Sequence, residues 1–164
     1  MVRALAEVSH APLLEAIREQ YPLDFDFGIH GVSHWWRVRE NGLRLAELTG
    51  ADAHVVELFA FLHDSRRFND GRDPHHGRRA AEYARGLRGT LVHLDDEAFE
   101  LLAHACTYHT DGLRDGHPTV LTCWDADRLD LGRVGIHPDP RYLCTDAARD
   151  PSVIRWAYLR SVGE

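Results

Sequence analysis

The stretch Val55-Val56-Glu57-Leu58-Phe59-Ala60-Phe61-Leu62 is almost entirely apolar and stops abruptly at His63-Asp64-Ser65. Asp52, just ahead of it, is a residue type favoured at a helix N-cap. The run therefore reads as a helix over about 53–63 whose last turn delivers two metal-type ligands. His63 and Asp64 point about 100° apart on a regular helix, so both reach one ion only beside the helix end, where the chain departs at Ser65. The competing reading is a histidine that caps the last carbonyls, next to an aspartate in the loop.

The neighbouring segments have the same period. Ser9-His10-Ala11-Pro12 reads as a helix start with proline in the first turn, and Leu13, Leu14, Ile17 and Tyr21 follow at helical spacing. Tyr21 to Gly28 is an acidic, aromatic loop. A helix over about 29–49 places Trp35, Val38, Leu45, Ala46 and Leu48 mostly on one face and ends at Gly50. Asn41-Gly42 lies inside it, and Gly42 is expected to admit a neighbouring helix closely. Further helices are expected over about 75–87, over about 95–109 with Asp95 as its cap, over about 119–131, and from Asp150-Pro151 onward. Trp35 and Trp36 read as core. No alternating strand pattern occurs, which gives an all-α fold of about seven helices. The 164 residues suit one domain, 1–164, with its motif-bearing core over about 28–131 and a C-terminal helix over about 151–161 packing on it.

Bulk properties narrow the function classes. The net charge of -7 disfavours nucleic acid or an anionic membrane as a partner. No apolar run approaches the roughly 20 residues of a membrane span, and Met1 to Val8 does not read as a signal peptide. Cys106, Cys123 and Cys144 form no CxxC pair, so they read as reduced thiols of a cytoplasmic protein. Twelve histidines are unusual for this length, and neutral imidazole is the commonest metal ligand. No P-loop, dinucleotide fingerprint, nucleophile elbow or zinc-finger spacing is present. Asn69-Asp70-Gly71-Arg72-Asp73 lacks the ligand pattern of a calcium loop.

Three pieces occur in a fixed order: His34-Trp35-Trp36-Arg37-Val38, then His63-Asp64, then Ala126-Asp127-Arg128-Leu129-Asp130. This ordered set resembles the HD-domain superfamily of metal-dependent phosphohydrolases. That signature is a histidine on an early helix, a His-Asp pair at a later helix end, and a distant aspartate in an Ala-Asp-Arg/Lys-Leu setting. The resemblance covers about 28–131. It implies His34, His63, Asp64 and Asp127 as metal ligands, with His63 and Asp64 at the catalytic centre. Asp127 is preferred to Asp125 because the aspartate follows the alanine, and the two lie about 200° apart round a helix. Asp130 shares a face with Asp127 and can orient a ligand or an arginine. Solvated helix surface or local ion pairs is nonetheless the favoured expectation for both Asp125 and Asp130. His30, four residues before His34, is expected in a pocket or supporting role rather than as a ligand.

Some HD proteins hold a second ion on extra histidines. His76 and His109 resemble those positions, and His75 and His104 fit less well. One ion is the primary expectation and two the extended one. Mixed nitrogen and oxygen ligands suit Mn, Fe, Co, Ni or Zn. The implied reaction is hydrolysis of a phosphate ester or anhydride of a small molecule, a nucleotide foremost, by attack of a metal-bound hydroxide. Among Arg66, Arg67, Arg72, Arg78 and Arg79, Arg66 is expected to grip the substrate phosphate. The Gly-Tyr-Pro motif of cyclic-dinucleotide phosphodiesterases is absent. Two rival readings are a di-iron HD-type oxygenase and a non-catalytic metal- and nucleotide-binding regulatory domain.

Overall fold

The computed structural model describes the backbone of residues 2–163 and the side chains of residues 10–163. The reading of Met1 to Val8 as no signal peptide concerns side chains outside the described residues. Among the described residues eight α-helices follow one another: α1 (Val2–Gln20), α2 (Val32–Thr49), α3 (Ala53–Leu62), α4 (His76–Gly86), α5 (Asp96–Tyr108), α6 (Pro118–Arg128), α7 (Asp146–Arg149) and α8 (Pro151–Ser161). Two short 3-10 turns, Leu131–Val134 and Pro140–Tyr142, separate α6 from α7. Among the described residues, extended pairing is limited to one isolated bridge between Arg88 and Val92. Among the described residues no helix is long and apolar enough to cross a membrane.

The all-α expectation stands, with two corrections to its elements. Helix α1 begins before Ser9, so Pro12 lies inside it rather than in its first turn. Helix α2 begins only at Val32, because residues 25–31 are folded into turns: Val32 N–H donates to the Phe25 carbonyl at 2.7 Å, and Gly31 N–H to that of Gly28 at 2.9 Å. The additional helix is the four-residue α7, opened by the Thr145 side chain, which accepts from the Ala148 N–H.

Helix α3 is the hub. Asp52 caps it as expected, its side chain accepting from His54 and Val55 N–H. Val55, Val56 and every residue from Leu58 to Leu62 are buried. A helix apolar on all sides is stable only when neighbours cover all of them, and α3 packs against α2, α4, α5 and α6. Burying each of its large side chains contributes about 1.5–3 kcal/mol. Gly42 explains how tightly the hub closes. A β-carbon at Gly42 would collide with Val56 of α3 and lie 3.3 Å from Ala126 of α6. Its absence lets α2, α3 and α6 meet. Asn41 fixes the junction by donating to the Ala126 carbonyl at 3.0 Å and accepting from Arg160 at 2.9 Å. A second apolar cluster, including Leu45, Leu129, Leu143 and Ile154, joins α7 and α8 to the far side of α2.

Candidate metal centre

The three helices that converge at Gly42 bring four side chains to one point. His34 stands in the first turn of α2, His63 caps the end of α3, Asp64 follows it, and Asp127 is in the last turn of α6. His34 Nε2 lies 3.1 Å from His63 Nε2, 3.5 Å from Asp64 Oδ2 and 3.2 Å from Asp127 Oδ1. His63 Nε2 lies 3.3 Å from Asp64 Oδ2 and 3.4 Å from Asp127 Oδ1. The other oxygen of Asp64 faces a second pair: Oδ1 is 3.1 Å from His76 Nε2 and 3.4 Å from His109 Nε2, and those nitrogens are 2.9 Å apart. His76 opens α4 and His109 caps α5. Gly77 permits this meeting, because a β-carbon there would collide with the Cys106 carbonyl and lie 3.3 Å from His109 Nδ1.

The tautomers follow from the other ring nitrogens. His34 Nδ1 is 2.6 Å from Asp130 Oδ2, and His63 Nδ1 is 3.0 Å from both the Phe59 and Ala60 carbonyls. His76 Nδ1 is 2.6 Å from the Asp73 carbonyl and His109 Nδ1 2.7 Å from that of Cys106. Each Nδ1 faces an acceptor and so carries the proton, which leaves the Nε2 lone pair of a neutral ring aimed at the centre. One nitrogen of His63 thus caps α3, while the other faces His34, Asp64 and Asp127.

Four nitrogen lone pairs and two carboxylates thus converge, with Arg67 Nε, 3.4 Å from Asp64 Oδ1, as a long and weak donor beside them. That is costly in a buried site unless a cation or protons occupy it. The spacing suits a cation: ligand atoms about 2.1 Å from a shared ion sit about 3.0 Å apart at right angles and about 3.4 Å apart at tetrahedral angles. His34, His63 and Asp64 form one potential metal-holding group, and Asp64, His76 and His109 another. Without an ion, protons substitute. Burial would lower His63, but the Asp64 and Asp127 carboxylates outweigh it and lift the ring to about 10. Burial would raise Asp64 and Asp127, yet the neighbouring His63 and hydrogen bonds from the surrounding imidazoles hold both well below the usual carboxylate range.

The remaining expectations sort by geometry. Asp125 and Asp130 are fully buried, not solvated surface. Asp125 turns away from the centre and accepts from the Cys144 N–H at 2.7 Å, the Thr145 N–H at 2.9 Å and the Thr145 hydroxyl at 2.7 Å. Asp130 orients both a histidine and an arginine, holding His34 Nδ1 with one oxygen and Arg37 Nε at 2.7 Å with the other. His30 precedes α2, so helical spacing does not place it over His34. It pairs with Asp70 at 2.8 Å and belongs to none of the potential metal-holding groups. His75 and His104 are exposed. Arg66 does not reach the centre; it donates to Gln20 at 2.7 Å and lies over Tyr83. Arg79 is paired with Asp73 at 2.6 Å. The arginine at the centre is Arg67, whose Nε is 3.4 Å from Asp64 Oδ1.

A cavity of about 270 Å³ opens onto the centre, where Asp64, His109 and Asp127 line it together with Arg67, Arg128, Arg133 and His30. A larger groove of about 650 Å³ between α4 and α5 contains none of these residues, so chemistry rather than size selects the smaller one. Arg128 and Arg133 were not foreseen. The signal for Arg133 was weak, a lone arginine between glycines in an irregular stretch; Arg128 sat unweighed beside Asp127.

No family model and no curated protein matches the chain. Among solved structures it is similar to the crystal structure of a predicted HD superfamily hydrolase from an uncultured Thermotogales bacterium. Identity is 29%, the match covers 93% of this chain and 86% of that one, and the TM-score is 0.69. The likeness read from three short motifs thus extends over the whole fold, an HD-type helical domain.

Proposed function

We propose that this HD-type domain is a metal-dependent hydrolase of a phosphate ester or anhydride of a small molecule, with a nucleotide as the leading substrate class. The observation that carries the reading is the convergence of four imidazole lone pairs on the two oxygens of Asp64. His34, His63, Asp64 and Asp127 would hold one divalent ion. The arrangement of His76 and His109 on the other oxygen of Asp64 favours a second. Such an ion supplies a Lewis acid that acidifies water and polarises a phosphoryl oxygen. The chain's own residues do the rest. Asp130 and the helix-end carbonyls keep every imidazole in the tautomer that offers Nε2. Arg67, Arg128 and Arg133 give the cavity a cationic wall suited to phosphate oxygens.

The same wall distinguishes this reading from a di-iron oxygenase, whose substrate need not be an anion. The partner is a small phosphorylated molecule met in the cytoplasm, and the three free cysteines suit that compartment. The test is direct. Purified protein carries bound transition metal and, once loaded, turns over members of a phosphoester panel. Asp64→Ala, which removes the carboxylate common to both histidine pairs, loses metal by more than about 100-fold in affinity and loses turnover. Iron with substrate-dependent oxygen uptake would instead establish the oxygenase. Metal binding without any turnover would establish the regulatory domain.

A further inference from the structure

A bound cation activates water but does not by itself protonate the departing oxygen of an alkyl ester, and a positioned acid accelerates that step. The titratable groups lining the cavity are His30, Asp64, His109 and Asp127. The last three commit their lone pairs to the centre, and arginine keeps its protons. His30 remains. Its Nδ1 is held by Asp70 Oδ1 at 2.8 Å, which leaves Nε2 for the cavity. Its backbone is fixed by the Tyr21 hydroxyl, which donates to the His30 carbonyl at 2.8 Å, and by Arg133, which donates to that of Ile29 at 2.8 Å. Arg67 donates to the carbonyls of Asn69 and Gly71, on either side of Asp70, at 3.0 and 3.1 Å. Two cavity arginines thus brace both halves of one His-Asp dyad.

We infer that His30 is a catalytic residue that protonates the leaving-group oxygen, with Asp70 as its positioning residue. The inference rests on the hydrolase reading above. The phosphorus–oxygen bond to the water oxygen forms as the bond to the leaving group breaks. The freed electron pair stays on the leaving oxygen and takes the Nε2 proton. The proton released by the water passes to solvent, which also reprotonates His30. The charged groups acting on the ring are Asp64, Asp70, Arg67 and Arg133, and the Tyr21 hydroxyl holds the backbone carbonyl. Burial holds the empty-cavity ring below its ordinary range, with Asp64 and Asp70 opposing and Arg67 and Arg133 adding to the effect. A phosphate dianion in the cavity raises it, so substrate brings the proton with it.

The experiment compares wild type and His30→Gln, both metal-loaded, on 4-nitrophenyl phosphate and on alkyl phosphates including a nucleoside 5′-monophosphate. The expected result is a loss about 10²–10⁴-fold greater on the alkyl substrates than on the activated aryl ester, which needs no acid. Metal content of His30→Gln equals that of wild type. Asp70→Asn shifts the high-pH limb of kcat to lower pH on alkyl substrates alone. Equal losses on both substrate types, or loss of metal from His30→Gln, overturn the role. Failure of loaded wild type to hydrolyse any of them overturns the hydrolase reading, and this inference with it.

Discussion

Two aspartates two residues apart on α6 live in opposite worlds, Asp125 fully buried and Asp127 with 16% of its side chain exposed. Asp125 looks toward the segment before α7, where two N–H groups and a hydroxyl satisfy it. Asp127 looks toward His34 and His63, whose nearer nitrogens are lone pairs. The first carboxylate has all the donors it needs and ties the C-terminal helices to the hub. The second has none but protons borrowed by its neighbours. The more deeply buried of the two is the one that faces donors, so burial alone does not mark a candidate functional carboxylate. What marks it is the sign of what it faces.

The sharpest break of this comparison is a matched pair of carboxamides. At Asp127, asparagine can turn its NH₂ toward the imidazole nitrogens, replacing repulsion by donation. Asp127→Asn therefore loses bound metal, and with it the stabilisation a ligand confers, about 2.7 kcal/mol at a hundredfold excess over Kd. At Asp125 the same NH₂ would face three donors. Asp125→Asn is expected to keep the metal and cost the metal-free fold about 3 kcal/mol or more. Metal analysis and denaturant unfolding with and without chelator read both quantities. If the two variants lose metal equally, the division between the faces is wrong.

The sequence made much of this legible, for a physical reason. The apolar run of α3 could be stable only under cover, and the capping residues Asp52 and Asp95 act on their helices as their chemistry requires. His34, His63, Asp64 and Asp127 fall at helix ends, where short local patterns hold. Arg66 and Arg67 show where that stops. They are adjacent on a turn, and which one meets Asp64 depends on the path of the chain after the helix, not on composition. His30 defeated spacing arithmetic because turns, not α2, carry it. The burial of Asp130 comes from Arg37 and His34, about a hundred residues away in sequence, and no local period reports that.

A second comparison sets the loaded centre against the empty one. In the empty centre His63 carries a proton up to about pH 10, against an ordinary 6.5. A raised pKa stabilises the metal-free fold below the ordinary value, and that contribution disappears as pH rises toward 10. Metal binding requires the proton to leave. Affinity therefore rises by at least about tenfold per pH unit as pH climbs toward about 10, then levels. Calorimetry in buffers of different ionisation enthalpy should show about one proton released per first ion bound near neutral pH. A pH-independent affinity would mean the histidines are already bare, and that the carboxylates hold no proton at the centre.

The smallest expected effect tests the quieter face of α6. Thr145 donates its hydroxyl to Asp125 and, through the same oxygen, accepts from the Ala148 N–H at the start of α7. Thr145→Val keeps the shape and removes both. The backbone N–H groups of Cys144 and Thr145 still satisfy Asp125, so the loss is a cap and one donor rather than a whole site, about 1–2 kcal/mol. Thr145→Ser retains the hydroxyl and should recover most of it. Metal content and turnover should be unchanged in both, because no part of this clasp faces the centre. A Thr145→Val protein that lost metal would show that the two faces of α6 are coupled, and that the helix transmits strain between the C-terminal clasp and Asp127.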